Sequence, residues 1–118
     1  MNTATTLLAD LQALRALLAQ GWCQDAPARD IFGHAVSPRS RDACSWCLAE
    51  GIWRITPVLN HRKDRVRSIQ DAIGAEIKRP TVAWNDDPKR TQAEVLAMLD
   101  RAIAKEQTGI APQEVELT

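Results

Sequence analysis

Apolar residues recur at helical spacing in four stretches of the chain, separated by segments rich in proline, glycine and short polar residues. Each stretch predicts a helix. The predicted helices cover residues 3 to 19, 41 to 55, 64 to 78 and 91 to 105. The second is apolar around most of its circumference, which predicts that it is buried on most of its surface and forms the central helix.

Glycine and serine residues mark the predicted boundaries of the first two helices. Gly21 is expected to take the left-handed conformation that often closes a helix, with Trp22 packing back on the last turn. Ser40 is expected to cap the second helix. With that start, Cys44 and Cys47 fall inside the second helix, on its apolar stripe.

The segments between the helices have no helical period. Residues 23 to 39 contain two prolines and a glycine, and they predict a loop with a short hairpin around Phe32 and Gly33. A short extended segment is expected at residues 81 to 84. The chain therefore predicts a mainly α fold, a single small domain of about four helices with a short irregular or β-hairpin segment between helices 1 and 2.

Length and charge limit the classes of protein. The 118 residues fit one domain, expected at residues 1 to 106 and followed by a flexible acidic tail at 107 to 118. A formal net charge of zero argues against binding to nucleic acid. No apolar run reaches the roughly 18 residues of a membrane span. Three cysteines without disulfide spacing indicate reduced thiols, so a cytoplasmic protein is expected.

Rare residues recur in three segments: GWCQDAPARD at 21 to 30, ACSWCLAEGI at 43 to 52 and WNDDPKRTQAEVLAML at 84 to 99. In this order they resemble a family of small bacterial and phage proteins known only as a domain of unknown function. The resemblance spans about Leu7 to Ala102, and Asp25 and Glu50 depart from it because the family pattern has small residues there. It implies that ten residues belong together: Trp22, Cys23, Gln24, Trp46, Cys47, Trp84, Asn85, Asp86, Arg90 and Thr91.

Polar and indole side chains occur together in these segments, as they do in small-ligand sites. The candidate ligand-binding residues are Trp22, Gln24, Trp46, Trp84, Asn85, Asp86 and Arg90. Glu50 is a further polar residue that can join them. A structural explanation competes, in which the tryptophans are core. Asn85 or Asp86 then closes an Asx-turn, and Thr91 and Glu94 form a capping box.

A small non-catalytic binding protein is the function that this pattern favours. Its partner would be a small molecule or a host protein, and no cofactor is expected. The resemblance to phage proteins implies an accessory or anti-defence role, in which the protein sequesters a small molecule or blocks a host protein. The oligomeric state stays open, with a homodimer among the alternatives.

The first alternative is a small enzyme that uses Cys47, Cys23 or a carboxylate. A nucleophilic cysteine needs a base within hydrogen-bond reach, and neither His34 nor His61 lies in the three segments. A redox pair Cys44-x-x-Cys47 would need the exposed start of a helix, whereas the predicted helix begins a turn earlier. A metal site that adds Cys23 and His34 lacks a second ligand pair. No metal is predicted, and buried thiols acting as small apolar residues are favoured.

The second alternative is a protein-blocking module that acts through the basic stretch at residues 62 to 67. The candidate partner-binding residues are Arg62, Lys63, Arg65 and Arg67. Such a run can meet an acidic face of another protein. The competing explanation is a solvated helix start, which Asp64 and the neutral net charge favour.

Overall fold

The computed structural model describes residues 3–57 and 62–110 of the chain. In these residues the helices are α1 Thr3–Gln20, α2 Leu48–Ile55, α3 Arg62–Ile77, α4 Thr81–Asn85 and α5 Gln92–Ile110. The strands β1 Ala28–Arg29, β2 Ala35–Val36 and β3 Ser45–Trp46 form an antiparallel sheet in the order β2-β1-β3. A mainly helical domain with a small sheet between α1 and α2 confirms the predicted fold class.

Helix α1 lies at the centre of the packing and contacts α5, α2 and α3. Its leucine stripe supplies the fully buried Leu11, Leu14 and Leu18, which meet buried residues such as Ile73 of α3 and Leu99 of α5 in one core. Burial of one such side chain stabilises the fold by roughly 1.5–3 kcal/mol. The stripe predicted for the first helix is confirmed, whereas the prediction that the second helix is central is wrong.

The turn between β1 and β2 confirms the hairpin predicted around Phe32 and Gly33. Gly33 has a φ of 83°, a left-handed conformation that glycine adopts without steric cost. The Asp30 carboxylate accepts the backbone N–H groups of Phe32 and His34, each at 2.9 Å. This turn is therefore held by its own side chain and backbone.

The second helix begins at Leu48, well after the predicted start. Ser40 caps no helix, since its hydroxyl accepts the Asp42 N–H in a turn, at 3.1 Å. The residues that follow join the sheet instead, where the Cys44 N–H donates to the Arg29 carbonyl at 2.9 Å. Helical spacing of apolar residues did not reveal this strand because a two-residue strand is too short to show its own alternation.

Cys47 is the N-cap of α2, and its Sγ accepts the Glu50 N–H at 3.4 Å. Cys44 is exposed and precedes β3. The prediction that both cysteines lie inside a helix is therefore wrong. Strand β3 separates them, and only Cys47 touches the helix start.

Gly21 ends α1 for a different reason from the predicted one. It does not have a positive φ, so the left-handed cap is wrong. A Cβ at this position would lie 2.1 Å from the Cys44 carbonyl oxygen, and glycine is required because the chain before β3 passes against it. Trp22 then forms a parallel β-bridge with Trp46 rather than folding back on the helix end.

The segment at 81–84, predicted to be extended, belongs to the short helix α4. The Trp84 N–H donates to the Pro80 carbonyl at 3.0 Å, a helical bond. Helix α5 runs to Ile110, beyond its predicted end, and residues 111–118 of the predicted tail lie outside the described residues. The boundary between domain and tail stays a prediction. No helix in the described ranges is long and apolar enough to cross a membrane.

Candidate functional site

The three sequence segments meet at Asn85, the last residue of α4, which is only 1% exposed. Its Oδ1 accepts the Trp22 indole N–H at 2.7 Å and the Leu48 backbone N–H at 3.0 Å. Its Nδ2 donates to the Cys23 carbonyl at 3.1 Å and to the Asp86 carboxylate at 2.8 Å. An amide side chain has two N–H donors and an oxygen that can accept two hydrogen bonds, so all four hydrogen-bonding positions of Asn85 are filled. We call these five residues the Asn85 hub.

Gln24 and Asp25 fasten the loop after α1 to the end of α4. The Gln24 side-chain amide donates to the Asn85 carbonyl at 2.9 Å and to the Asp87 carbonyl at 2.7 Å. The Asp25 N–H donates to Asp86 Oδ1 at 3.0 Å, and Asp25 has a φ of 62°. Hydrogen bonds that involve side chains thus join the loop after α1 to the end of α4, and a satisfied network of this kind makes both segments rigid.

Trp84 and Arg90 stabilise the turn between α4 and α5. The Arg90 guanidinium carbon lies 3.9 Å from the centroid of the Trp84 ring, within the range of a cation–π contact. Its Nε also donates to the Trp84 carbonyl at 3.0 Å. Trp84 is buried, so the stacking partner of this indole is part of the chain itself.

The start of α5 confirms the predicted capping box. The Glu94 N–H donates to the Thr91 hydroxyl at 3.2 Å, and the Thr91 N–H donates to the Glu94 carboxylate at 2.9 Å. Two backbone donors at the helix start are satisfied reciprocally. Thr91, just before α5, is therefore the residue that caps this helix.

Trp46 joins the site through its backbone rather than through its indole. The Cys23 N–H donates to the Trp46 carbonyl at 3.1 Å. The Trp46 indole N–H donates instead to the Pro38 carbonyl at 3.0 Å, and the ring is buried. The seven predicted ligand-binding residues are therefore gathered around one hub, but their polar atoms bond mainly to the chain.

A cavity of about 460 Å³ opens beside the Asn85 hub. It is lined by Asp25, Ala26, Pro27, Cys47, Ala49, Glu50, Val82, Asn85 and Asp86. Of the seven predicted residues, only Asn85 and Asp86 line it, and no tryptophan does. The loop after α1, the start of α2 and helix α4 each contribute a wall.

Three carboxylates give the cavity its charge. Asp25, Glu50 and Asp86 line it, and no basic residue of the described ranges does. Asp86 is bonded within the hub, whereas the carboxylates of Asp25 and Glu50 have no hydrogen bond or ion pair to residues in the described ranges. The remaining walls are mostly aliphatic. The cavity thus combines apolar surface with uncompensated negative charge.

Cys47 lines the cavity as a protonated thiol. Burial, above all, raises the pKa of Cys47, and the nearby Cys23, Glu50 and Asp86 raise it further. The Glu50 N–H opposes them only in part. Burial likewise raises the pKa of Cys23. A thiolate is the form that attacks substrates, so the start of α2 does not activate Cys47 as a nucleophile.

The histidines give no base to these thiols in the described part of the chain. His34 lies on the hairpin turn with its side chain 77% exposed, 3.6 Å from the Asp30 carboxylate. His61 falls outside the described residues. Among residues 3–57 and 62–110, no group of three or more histidine, cysteine or acidic side chains is arranged to hold a metal ion.

The basic stretch is divided between internal and exposed side chains. Arg62 lies over the Trp53 ring, with its guanidinium carbon 4.7 Å from the centroid, and donates to the Trp53 carbonyl at 3.0 Å. Arg65 makes a two-point ion pair with the buried Asp10, at 2.6 and 3.1 Å. Lys63 and Arg67 are exposed. Half of the predicted partner-binding residues thus hold α3 to its neighbours.

The cavity residues that sequence reasoning missed are the aliphatic ones, such as Ala49 and Val82. Alanine and valine are common in every kind of segment, so their presence in a sequence does not indicate a binding site. Their position also depended on the start of α2 and on α4, which the sequence placed incorrectly. The sequence predicts Glu50 as a further polar residue of the pocket, and it marks Asp25 only as a departure from the family pattern.

Comparison with known proteins identifies one family that matches the chain. The model of one family, described as a family of unknown function (DUF6197), matches residues 2–105. No curated protein and no solved structure matches the chain. The match covers most of the chain and confirms the resemblance to a domain of unknown function. The chain belongs to the DUF6197 family.

Proposed function

We propose that this protein is a small non-catalytic binding protein and that its ligand occupies the cavity beside the Asn85 hub. The observation that carries the proposal is the cavity itself. Its volume of about 460 Å³ is in the range of small-ligand pockets, which combine apolar walls with a few placed polar groups.

The rigidity of the surroundings supports binding. The floor of the cavity contains Asn85, whose side chain is fully hydrogen-bonded and 1% exposed. The Gln24 side chain fixes the loop after α1, which contributes another part of the lining. A preformed site loses less conformational entropy when a ligand binds.

The chemistry of the lining favours binding over catalysis. Cys47 is the nucleophilic residue type at the cavity, and burial, with a smaller contribution from Cys23 and the acidic neighbours, raises its pKa and so disfavours the thiolate. A base positioned to accept its proton is required for covalent catalysis. Among the described residues, the lining contains no histidine or lysine, and the Cys47 thiol accepts the Glu50 N–H without donating a hydrogen bond to any of the three carboxylates.

The biological role that we propose is that of an accessory protein, with an anti-defence function in a phage or mobile element as one form of it. That step rests on the resemblance of the three segments to phage proteins. In this role the protein sequesters a small molecule from its host or presents the cavity to a host protein.

A fragment titration monitored by NMR tests the proposal. Cationic, neutral and anionic fragments are added to the ¹⁵N-labelled protein, and the amide signals of Ala26, Ala49 and Val82 are followed. We expect fragments of at least one charge class to shift these signals, and we expect weaker binding to Ala49→Leu, whose larger side chain occupies part of the cavity. Ala75→Leu adds the same volume on an exposed face of α3 and should change nothing. If no fragment shifts the cavity amides, the proposed function is wrong.

A further inference from the structure

The carboxylates of the cavity are distributed rather than convergent. Asp25 belongs to the loop after α1, Glu50 to α2, and Asp86 follows α4. In the residues that the structure describes, no three acidic, histidine or cysteine side chains are close enough to share one metal ion. The three carboxylates therefore do not converge on one point, and a single compact cation would leave at least one of them unpaired.

A second feature of the wall, independent of the acidic residues, is an incompletely bonded thiol. Cys47 is 9% exposed and lines the cavity. Its Sγ accepts the Glu50 N–H at 3.4 Å, and among described residues its S–H finds no acceptor. Buried polar groups normally have their hydrogen-bonding capacity filled. A polar ligand group in the cavity would supply the missing partner.

We propose that the cavity binds a linear aliphatic diamine or polyamine. Each ammonium group would pair with one region of the carboxylate wall, and the methylene chain between them would lie on Ala26, Ala49 and Val82. Primary amines are protonated near neutral pH, because their pKa is close to the lysine value of about 10.4. Separate charges joined by an apolar chain match separate carboxylates joined by an apolar wall.

Other ligand chemistries fit less well. Phosphates and carboxylic acids are repelled by three carboxylates without a basic residue. Quaternary ammonium groups are typically recognised with an aromatic face, and no aromatic residue of the described ranges lines the cavity. A guanidinium group pairs best with one carboxylate in a two-point contact, whereas the negative charge here is divided among three residues. A lysine side chain of a protein partner shares the alkylammonium chemistry but brings only one charge, so it is the alternative source that the experiment separates.

The inference rests on the proposed function, since it assigns a ligand class to the same cavity. Isothermal titration calorimetry at low ionic strength tests it with three probes: 1,4-diaminobutane, a lysine capped at both ends as amides, and butane-1,4-diol. We expect the diamine to bind about fivefold more tightly than the capped lysine, from one added surface ion pair, and the diol to give no measurable binding. Added salt should weaken the diamine, because exposed ion pairs are screened.

Variants of the two unpaired carboxylates provide the structural test. Asp25→Asn and Glu50→Gln preserve shape, and asparagine tolerates the left-handed conformation of position 25. Each should lower diamine affinity by roughly three- to fivefold, the size of a partly exposed ion pair. Asp71→Asn removes an equal charge from an exposed position on α3 and should leave affinity unchanged. Circular dichroism melting confirms that each variant is folded.

The results of these experiments distinguish an incorrect ligand class from an incorrect proposed function. If neutral or anionic fragments shift the cavity amides while the diamine does not bind, the protein is a binding protein and the ligand class is wrong. Tighter binding of the capped lysine than of the diamine also overturns the ligand class, in favour of a protein lysine. Equal diamine affinity in the wild type and in the Asp25→Asn, Glu50→Gln double variant overturns it as well.

Discussion

Two polar regions of this molecule share a border and differ in how their polar groups are used. In the Asn85 hub, the central amide makes four hydrogen bonds, to Trp22, Cys23, Leu48 and Asp86. In the cavity beside it, the carboxylate of Glu50 has no partner among the described residues. Buried polar groups that are fully bonded specify a fold, whereas unpaired ones at a cavity wall are available to a ligand.

The difference shows that the rare residues of the motifs mostly build the support. Trp22, Gln24 and Asn85 bond to one another or to nearby backbone, so they fix where the cavity walls stand. The groups available to a ligand are their less distinctive neighbours. A motif that gathers in space can therefore mark a scaffold as well as a site, and the two roles are separable by mutation.

The largest expected effect comes from breaking the hub. Asn85→Ala leaves the Trp22 indole N–H, the Leu48 N–H and the Cys23 carbonyl without this partner. Each unsatisfied buried group costs about 1–3 kcal/mol, and we expect the free energy of unfolding to fall by about 3–5 kcal/mol. Urea denaturation followed by tryptophan fluorescence measures it.

Gln70→Ala is the matched control for the hub, because it truncates an amide side chain at an exposed position of α3. We expect its effect to stay within about 0.5 kcal/mol. Equal destabilisation by the two variants would show that Asn85 is not a structural centre, and the contrast between hub and cavity would then be lost.

The second effect concerns the contact that brings β3 against the end of α1. Gly21→Ala places a Cβ 2.1 Å from the Cys44 carbonyl oxygen, a backbone atom that cannot rotate away. We expect a loss of about 2–3 kcal/mol in unfolding free energy, typical of overpacking. Thermal melting checks the loss.

Gly74→Ala gives the opposite sign within the same chain. No atom lies within 4 Å of a Cβ built at this helical position, and alanine is favoured over glycine in a helix by about 0.5–1 kcal/mol. Stabilisation by Gly74→Ala together with destabilisation by Gly21→Ala would establish steric contact as the cause. Loss of stability in both variants would contradict it.

The third effect distinguishes the buried thiols from the exposed one. Burial raises the pKa of Cys23 and of Cys47, so the unfolded chain loses these protons before the folded protein does. The free energy of unfolding should therefore fall as pH rises above the ordinary thiol pKa of about 8.5. Urea titrations at increasing pH measure this slope.

The control for the thiol effect is the Cys23→Ala, Cys47→Ala double variant, whose slope above that pH should be smaller. Alkylation by iodoacetamide adds a kinetic readout. The exposed Cys44 should react first and be the main site in the folded protein. Rapid labelling of Cys47 in the folded state would mean that its thiolate forms readily, and it would reopen the enzyme alternative.

Helical periodicity predicted the long helices because their apolar stripes repeat over several turns. The stripe of α1 and the capping box of α5 follow from local sequence alone. Strand β3 and helix α4 were misassigned, since each is too short to show a period. Their conformation is set by partners distant in sequence, such as Arg29 for Cys44.

The candidate site was also predicted only in part. The resemblance gathered Trp22 and Asn85, and the structure joins them by a hydrogen bond of 2.7 Å. The cavity was not predictable, because its walls depend on where α2 begins and on α4 being a helix. Residues such as Ala49 become visible as lining only after those elements are placed.

The smallest expected effect on stability is that of removing a cavity carboxylate. Such a small effect would show directly that the cavity groups, unlike those of the Asn85 hub, do not stabilise the fold. Glu50→Gln removes a charge that has no side-chain partner among described residues and that shares the cavity with two other carboxylates. We expect the free energy of unfolding to stay within about 0.5 kcal/mol of the wild type. Relief of repulsion between the carboxylates is offset by loss of the favourable charge that Glu50 places in the first turn of α2, near the positive end of the helix dipole.

Glu94→Gln is the control for Glu50→Gln, since the Glu94 carboxylate accepts the Thr91 N–H at 2.9 Å and lies 3.6 Å from Arg90. Glutamine keeps the oxygen acceptor of the capping box but loses the charge beside Arg90, so we expect a loss of about 0.5–1 kcal/mol, the scale of an exposed ion pair. Guanidinium denaturation of both variants measures the difference. If Glu50→Gln destabilised the fold as much as Glu94→Gln, the cavity carboxylate would be structural. If Glu50→Gln leaves the stability unchanged and also binds the diamine less tightly, the hub stabilises the fold and the cavity binds the ligand.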